Sequence, residues 1–371
     1  MPDLLDGLPL IDHHCHGVRQ HTLDRGRFEA ELTESSGPGR WHGSLFDTQA
    51  GLGVLRWCAP LLDLPAHCPA DTYLQRREEL GIDEVNRRLV SAAGIGDFLV
   101  DTGYHGEELT SPAELGSLGG GRAHEIVRLE QVAESVCGAA DYPQAFGAAL
   151  AERAASAVGC KSIAAYRVGL DLDPARPANS EVRTAADAWA AATADEPPRL
   201  ADPVLVRHGI WTAIDLKLPL QFHVGYGDAD VDLLHCDPLL LTPLLRASQP
   251  HNVPIMLLHN YPFQRHAGYL AQVFDHVFVD VGLAVQNVGS RAGAVLAELL
   301  ELAPFGAVLF STDAFALPEL YLTSSTLFRR ALTTFLDDGL SDGAWTAADA
   351  ERIARMIGAD NARRAYGLDT R

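Results

Sequence analysis

The 371-residue sequence is poor in cysteine and in basic residues, and it has no long apolar run. Its six cysteines include no Cys-x-x-Cys pair, which excludes the spacing of a zinc ribbon. A framework of disulfide bonds is also excluded at this density, because domains that depend on one are short and rich in cysteine. The cysteine pattern fits a reducing compartment, and we expect a cytoplasmic protein.

Basic residues are outnumbered, with 29 Lys and Arg against 49 Asp and Glu and a net charge of -20. Nucleic acids and anionic membrane surfaces both bind through clustered positive charge, so this balance argues against either as a partner. No apolar run approaches the roughly 18 residues of a membrane span, and the first six residues lack the features of a signal peptide. We therefore expect a small-molecule substrate, no nucleic acid and no membrane.

Short apolar runs alternate with helical patterns along the whole chain, which is typical of βα units around a parallel sheet. The eight candidate strands are residues 8–14, 95–102, 124–129, 158–163, 218–224, 253–259, 277–281 and 307–312. Several of them end in a residue that can bind a metal or move a proton, as the strands of a (β/α)8 barrel do at its active-site face. The sequence therefore predicts an α/β fold, a (β/α)8 TIM barrel formed by residues 1–371 as one domain.

Two predicted insertions interrupt the regular βα spacing. Residues 17–94 are long for one βα unit and carry mostly helical patterns, and residues 171–210 are rich in Pro and Ala. Both follow a strand, so both are expected on the active-site side of the barrel. We expect the helical insertion after strand 1 to form a cap that shapes the pocket.

The sharpest local motif is a His-x-His at the end of the first predicted strand. Side chains alternate along a strand, so His14 and His16 point the same way. Two neutral imidazoles at one strand end are suitable ligands for zinc. By the same alternation His13 points away, and we interpret it and Cys15 as structural residues.

Three further candidates follow apolar runs that would be barrel strands. His223 and His259 could be core histidines if each is taken alone, whereas Asp313 would be costly to bury unless it is paired, hydrogen-bonded or bound to a metal. Their convergence with His14 and His16 on one barrel mouth makes independent structural roles implausible.

The full pattern resembles the amidohydrolase superfamily, with a His-x-His on strand one, His on strands five and six, and Asp on strand eight. Within it, the chain is similar to the amidohydrolase-2 branch and to the amidohydrolase-like half of FluG-type glutamine synthetase fusion proteins. The stretches that carry this resemblance are 159–167 (GCKSIAAYR), 221–225 (QFHVG) with Gly227 and Asp228, 309–314 (LFSTDA) with Pro318 and Glu319, and 360–366 (DNARRAY).

The resemblance implies that His14, His16 and His223 bind a divalent metal, usually zinc. Asp313 would be a further ligand or the base that deprotonates the metal-activated water, and His259 would be a ligand or a proton shuttle. This assignment is chemically coherent, because a metal lowers the pKa of its water and polarises a carbonyl, and a nearby carboxylate can pass the water's proton to a leaving amine.

Lys161 has three open roles. Some members of the superfamily carbamylate a strand-four lysine that then bridges two metals, and Lys161 lies on the predicted fourth strand. It could instead anchor the substrate or form a structural ion pair. One metal is favoured over two.

Several residues near the predicted strand ends are candidates for binding substrate. Arg128, Tyr166 and Arg167 are the main ones, because an Arg fork binds a carboxylate through two hydrogen bonds. Each Arg could equally form a salt bridge in the barrel wall. The undecided residues are Asp101, Glu130, Asp280, which could orient a histidine or bind substrate, and Glu319, which could cap a helix.

Three functions are compatible with these residues. The first is metal-dependent hydrolysis of a C–N amide bond in a small acidic substrate, and the FluG-like resemblance suggests a γ-glutamyl amide. The second is a metal-dependent non-oxidative decarboxylase of a small carboxylic acid, which uses a closely similar ligand set. The third is a binding protein without catalysis, against which the intact ligand set argues. A homodimer is the common expectation for such a protein.

Overall fold

The fold is taken from a computed structural model of the protein, which describes residues 5, 7–35, 43–104, 108–193 and 196–370. Most of the first six residues, where no signal peptide was predicted, and residues 36–42 of the predicted first insertion lie outside these ranges. No helix in the described ranges is both long enough and apolar enough to span a membrane.

A curled parallel sheet of seven strands forms the centre of the molecule, and its spatial order β1-β2-β3-β4-β5-β6-β7 follows the chain. The strands are β1 Leu10–Cys15, β2 Ile95–Asp101, β3 Arg122–Arg128, β4 Gly159–Ser162, β5 Leu220–His223, β6 Ile255–Leu258 and β7 Val277–Val279. Each falls within one of the predicted apolar runs or overlaps it closely. The architecture is α/β and resembles a TIM barrel.

The predicted eighth strand, residues 307–312, is not a regular strand, so the prediction of eight strands was wrong at this point. The segment nevertheless lies between β7 and β1: Leu309 N donates to Val279 O at 2.9 Å, and His13 N donates to Phe310 O at 3.1 Å. The ladder ends early because the Asp12 carboxylate accepts hydrogen bonds from Thr312 N (2.9 Å) and Thr312 Oγ1 (2.5 Å). A side chain thus replaces part of the backbone pairing that would close the barrel.

Helices surround the sheet. Those in the described ranges are α1 Arg25–Ala30, α2 Gln49–Trp57, α3 Ala70–Leu80, α4 Ile82–Ala92, α5 Pro112–Gly119, α6 Leu129–Ser135, α7 Tyr142–Ala154, α8 Ala164–Arg167, α9 Asn179–Ala192, α10 Pro203–Asp215, α11 Thr242–Ser248, α12 Gln264–Val273, α13 Gly282–Val288, α14 Ala292–Leu300, α15 Pro318–Ser341, α16 Ala347–Arg355 and α17 Asn361–Tyr366. Helices α1 to α4 fall in the predicted first insertion. Helices α2 and α4 pack against α15, whereas residues Ala30, Glu31, Thr33, Glu34 and Ser35 line the central cavity.

A buried ion pair fastens the first insertion to α15. Arg77 of α3 donates from Nε to Glu319 Oε1 at 2.6 Å, and Tyr73 Oη donates to the same oxygen at 2.8 Å. Glu319 is fully buried and Arg77 is 4% exposed. Glu319 lies in the first turn of α15, where a carboxylate is stabilised by the helix dipole. Through its bond to Arg77 it also joins α15 to α3.

The interior of the sheet is filled by its own apolar side chains and closed at one end by the C-terminal helix. Ile11, Leu99 and Met256 from the strands pack with Ala362 and Tyr366 of α17 in one buried cluster. Because alternate strand residues point inward, this buried cluster fills the end of the barrel at which the strands begin. The opposite mouth, where the strands end, is left for the site.

Candidate active site

A cavity of about 540 Å³ opens at the mouth where the strands end. His16, Lys161 and His223 line it at or next to the ends of β1, β4 and β5, and Asp313 lines it directly after the irregular segment 307–312. The structure therefore brings polar side chains from distant parts of the chain together at this mouth. The chemistry available there follows from their distances and partners.

His14 and His16 lie side by side, with ring centroids 5.1 Å apart. His16 Nδ1 donates to the Asp101 carbonyl oxygen at 3.0 Å, which leaves His16 Nε2 directed at Asp313 Oδ1, 3.5 Å away. His14 Nε2 lies 3.1 Å from the same oxygen. A hydrogen bond that fixes one ring nitrogen and frees the other is the usual arrangement of a metal-binding histidine.

His259 and Asp313 stand on backbone of unusual conformation. His259 (φ 70°), Asn260 (φ 58°) and Asp313 (φ 49°) all lie in the left-handed region, which costs free energy in residues with a Cβ and is concentrated at functional sites. The bends bring His259 Nε2 within 3.3 Å of Asp313 Oδ2. Asp313 thus contacts three histidines.

Two groups of side chains place one ligand atom each within 4.8 Å of one another: His14, His259 and Asp313, and His14, His16 and Asp101. His223 is in neither group among the described residues. Its ring lies 5.0 Å from that of His259, at the next position in the same row of histidines. The predicted ligand His223 therefore lies next to the group formed by His14, His259 and Asp313, and His259 rather than His223 belongs to that group.

The polar atoms of this row fit a cation. His14 Nδ1, His223 Nε2, both ring nitrogens of His259 and Asp313 Oδ1 are buried without a hydrogen-bond partner of acceptable geometry in the described parts of the chain. Buried polar atoms are rarely left so, because each lost partner costs about 1–3 kcal/mol. Imidazole nitrogens and a carboxylate oxygen are also the donor set that zinc prefers.

The pKa values of these groups favour the forms that bind a metal. Burial and the neighbouring Lys161 lower the pKa of His14 to about 3, and burial likewise lowers the pKa of His223 and of His259. Burial opposes ionisation of Asp313, but the surrounding His259 and His14 hold its pKa well below its ordinary value. Neutral imidazoles and an ionised carboxylate are therefore the resting forms at neutral pH.

Lys161 lies within the cluster. Its Nζ is 2.8 Å from His14 Nε2 and 3.5 Å from Asp101 Oδ2, and burial lowers its pKa. Since its ammonium faces the ring nitrogen that Asp313 also contacts, its position is compatible with each of the three predicted roles.

The predicted substrate-binding residues differ in how far they are already engaged. Arg128 donates from Nε and Nη2 to Asp101 Oδ2 at 3.2 and 2.6 Å, so its fork is held in an ion pair. Arg167 contacts Glu134 through Nη2 at 3.3 Å, while its buried Nε and Nη1 have no partner among the described residues. Tyr166 packs its ring 4.5 Å from that of His223.

The cavity also contains residues that the sequence did not single out as site candidates. Tyr104 packs its ring 5.1 Å from that of His16, and Arg19, Glu34, Arg199 and Asp228 complete the wall. Tyr104 follows β2 by three residues, which was a usable signal. The other four come from connecting segments without strand periodicity; Asp228 belongs to a stretch that carries the family resemblance, whereas nothing in the sequence distinguished Arg19, Glu34 and Arg199 from surface charges.

The curled parallel sheet resembles a TIM barrel, and a buried cluster of His and Asp side chains lies at the mouth where its strands end. These features define the class of protein, which is an enzyme with candidate metal-binding groups. The chain belongs to the amidohydrolase family, whose model matches residues 128–368. It is an enzyme of this class.

Three known proteins show the extent of the similarity. The chain is 34% identical to Protein fluG of Emericella nidulans over 224 residues, which are 57% of this chain and 26% of that protein. It thus spans about a quarter of the length of this curated relative. A Lactobacillus casei structure, assigned as a metal-dependent hydrolase, is 30% identical with a TM-score of 0.86 and coverage of 100% and 99% of the two chains. A uronate isomerase from Bacillus halodurans is 14% identical with a TM-score of 0.63, covering 98% and 94%, and shares the fold.

Proposed function

We propose that the protein hydrolyses a C–N amide bond in a small acidic substrate, with water activated by a divalent metal, for which zinc is the first candidate. The observation that carries the proposal is the row of buried histidines around Asp313, in which His223 Nε2, both ring nitrogens of His259 and Asp313 Oδ1 lack hydrogen-bond partners among the described residues. His14, His16 and Asp313 would hold the metal together with His259 or His223. The similarity to the metal-dependent hydrolase of Lactobacillus casei supports the same reaction class.

A divalent metal at this position would lower the pKa of water and polarise the scissile carbonyl. Asp313 stays ionised because three histidines surround it, so it can accept the proton of the attacking water and deliver it to the leaving amine. The buried Lys161 ammonium would hold the substrate against the cluster. Tyr166, whose pKa is raised well above its ordinary value by burial, remains a phenol that can donate a hydrogen bond.

Arg167 supports an acidic substrate. Two of its guanidinium nitrogens, Nε and Nη1, lie buried beside the cavity without a partner in the described ranges, and each can donate a charge-assisted hydrogen bond to a substrate carboxylate. γ-Glutamyl amides are the first substrates to test because of the FluG-like resemblance of the motifs.

The reaction is tested by measuring the metal content of the purified protein and screening γ-glutamyl amides for amine release. We expect stoichiometric metal and metal-dependent release of amine. Release of carbon dioxide from small carboxylic acids, with no amine release from any amide, would replace hydrolysis by the decarboxylase alternative. A protein that binds no metal would contradict both functions.

Substitution can distinguish whether His259 or His223 contributes more to metal binding. The His259→Ala variant should lose metal more completely than His223→Ala, because His259, unlike His223, forms a group with His14 and Asp313 whose ligand atoms lie within 4.8 Å of one another. Both variants should remain folded, and both should lose activity. Metal content after dialysis against a weak chelator gives the comparison, with the surface variant His235→Ala as a control. Complete loss in His223→Ala with retention in His259→Ala would reverse the assignment.

Removing the guanidinium of Arg167 should weaken substrate binding. A hydrogen bond to a charged group is worth about 1.5–3 kcal/mol, so Arg167→Ala should raise KM about 10- to 100-fold with a smaller change in kcat. Arg183→Ala is a suitable control, since Arg183 pairs with Asp141 on the protein surface. An unchanged KM for an acidic substrate in Arg167→Ala would contradict this role.

A further inference from the structure

Beneath the histidine cluster lies a second group of buried polar side chains, which the proposed reaction does not use. Gln221, His13 and Asp280 are fully buried, and Tyr366 of the C-terminal helix is 2% exposed. We call these four residues the lower network. His13 belongs to it because alternation along β1 turns its side chain away from His14.

Hydrogen bonds in the lower network can run in one consistent direction. Gln221 Nε2 donates to Tyr366 Oη at 2.8 Å. The Tyr366 hydroxyl can then donate to His13 Nδ1 at 3.0 Å, and His13 Nε2 donates to Asp280 Oδ2 at 2.9 Å. In this order His13 Nε2 carries the proton that Asp280 accepts, because a carboxylate can only accept, and His13 Nδ1 accepts from Tyr366.

The other carboxylate oxygen of Asp280 bonds to the backbone of His259, a candidate metal ligand. Asp280 Oδ1 accepts hydrogen bonds from His259 N at 2.9 Å, Gly282 N at 2.7 Å and Ser311 Oγ at 3.0 Å. A Cβ at Gly282 would lie only 2.0 Å from Ser311 Oγ, so only glycine permits this approach. A carboxylate with this many donors is strongly favoured in its ionised form.

The bond to His259 N bears on the strained bend after β6. His259 and Asn260 both have positive φ, and the Asn260 side chain donates to the Asp280 carbonyl oxygen at 3.0 Å. Without these anchors the two residues would relax toward commoner conformations. The His259 side chain would then swing away from Asp313.

We propose that Asp280 is the positioning residue of His259, and that Tyr366 holds Asp280 in place through His13. The C-terminal helix thereby sets the geometry of a centre at the opposite end of the barrel. This inference rests on the proposed function, since it concerns the candidate metal centre, but it adds residues that touch neither metal nor substrate.

Asp280→Asn is the most informative substitution. The oxygen of the introduced amide could still accept from His259 N, but the NH₂ group of that amide would oppose His13 Nε2–H. His13 would then have to exchange tautomers, which would disturb the bond from Tyr366. Tyr366→Phe removes only the hydroxyl and perturbs the same chain from its far end.

The test is a zinc titration of the metal-stripped full-length protein, together with hydrogen–deuterium exchange of the peptide containing His259. We expect Asp280→Asn to bind zinc about 10- to 100-fold more weakly, as substitutions behind a metal ligand usually do. Tyr366→Phe should weaken binding in the same direction and by less. In both variants the His259 amide should exchange faster than in the wild type.

Asp97→Asn is the matched control. Asp97 is also a buried carboxylate bonded to a histidine, with His124 Nε2 at 3.0 Å, but it pairs with Arg122 where β2 and β3 begin. It should leave zinc affinity unchanged. Wild-type zinc affinity and exchange in Asp280→Asn would overturn the proposal, and if that variant does not fold, Tyr366→Phe decides in the same way. A wild-type protein that binds no zinc contradicts the proposed function instead, and the exchange rate of His259 still tests the positioning.

Discussion

Asp313→Asn should lower kcat by about 10²- to 10⁴-fold, the contribution usual for a general base in the transition state. The variant should keep at least part of its metal, because the amide oxygen can remain near His14 and His259, while it can no longer accept the proton of water. Steady-state kinetics on the substrate found in the screen, with metal content measured on the same sample, gives the result.

The control for this prediction is Asp228→Asn, which changes another carboxylate of the cavity wall without touching the histidine row. It should change kcat much less than Asp313→Asn. Near-normal kcat in Asp313→Asn with full metal content would show that Asp313 is not the base.

Glu319→Ala should destabilise the fold by about 3–5 kcal/mol, because it leaves the buried Arg77 guanidinium without its counter-charge. The Tyr73 hydroxyl also loses its acceptor. Urea unfolding followed by circular dichroism measures the loss, and the double variant Arg77→Met with Glu319→Leu should recover much of it, since apolar pairs often replace buried ion pairs at little cost.

A surface ion pair gives the comparison for that prediction. Glu301 pairs with Arg265 at 2.8 Å, but both side chains are at least half exposed, so Glu301→Ala should destabilise the fold much less than Glu319→Ala. If Glu319→Ala cost no more than Glu301→Ala, the buried pair would not be what fastens α3 to α15.

The positions of the strands could be predicted because a strand that is buried on both faces consists of a short run of apolar residues in the sequence. Seven of eight predicted strands form, and the residues at or directly after strand ends include His223 and His259, while Asp313 follows the irregular eighth run. The eighth run is equally apolar, yet it is irregular because Asp12, distant in sequence, takes the hydrogen bonds of Thr312. Local composition contains no information about that competition.

The sequence could also not rank the charged residues near the mouth. Arg128 and Arg167 were equivalent as candidates, but Asp101 engages one fork, while the other is partly unpaired among the described residues. Likewise His13 and Asp280 were either dismissed or undecided, although their hydrogen bonds reach the backbone of His259. Pairing depends on side chains that lie hundreds of residues apart and meet only in the folded chain.

By itself, the sequence determined the parallel α/β architecture, the strand-end location of the histidines and the kind of chemistry that they allow, because strand periodicity and residue type are local properties. Only the tertiary structure decided which imidazoles stand beside Asp313, which arginine keeps unpaired nitrogens among the described residues and how the chain closes between β7 and β1. Those outcomes depend on distances of a few ångströms, which are set by the packing of the whole molecule.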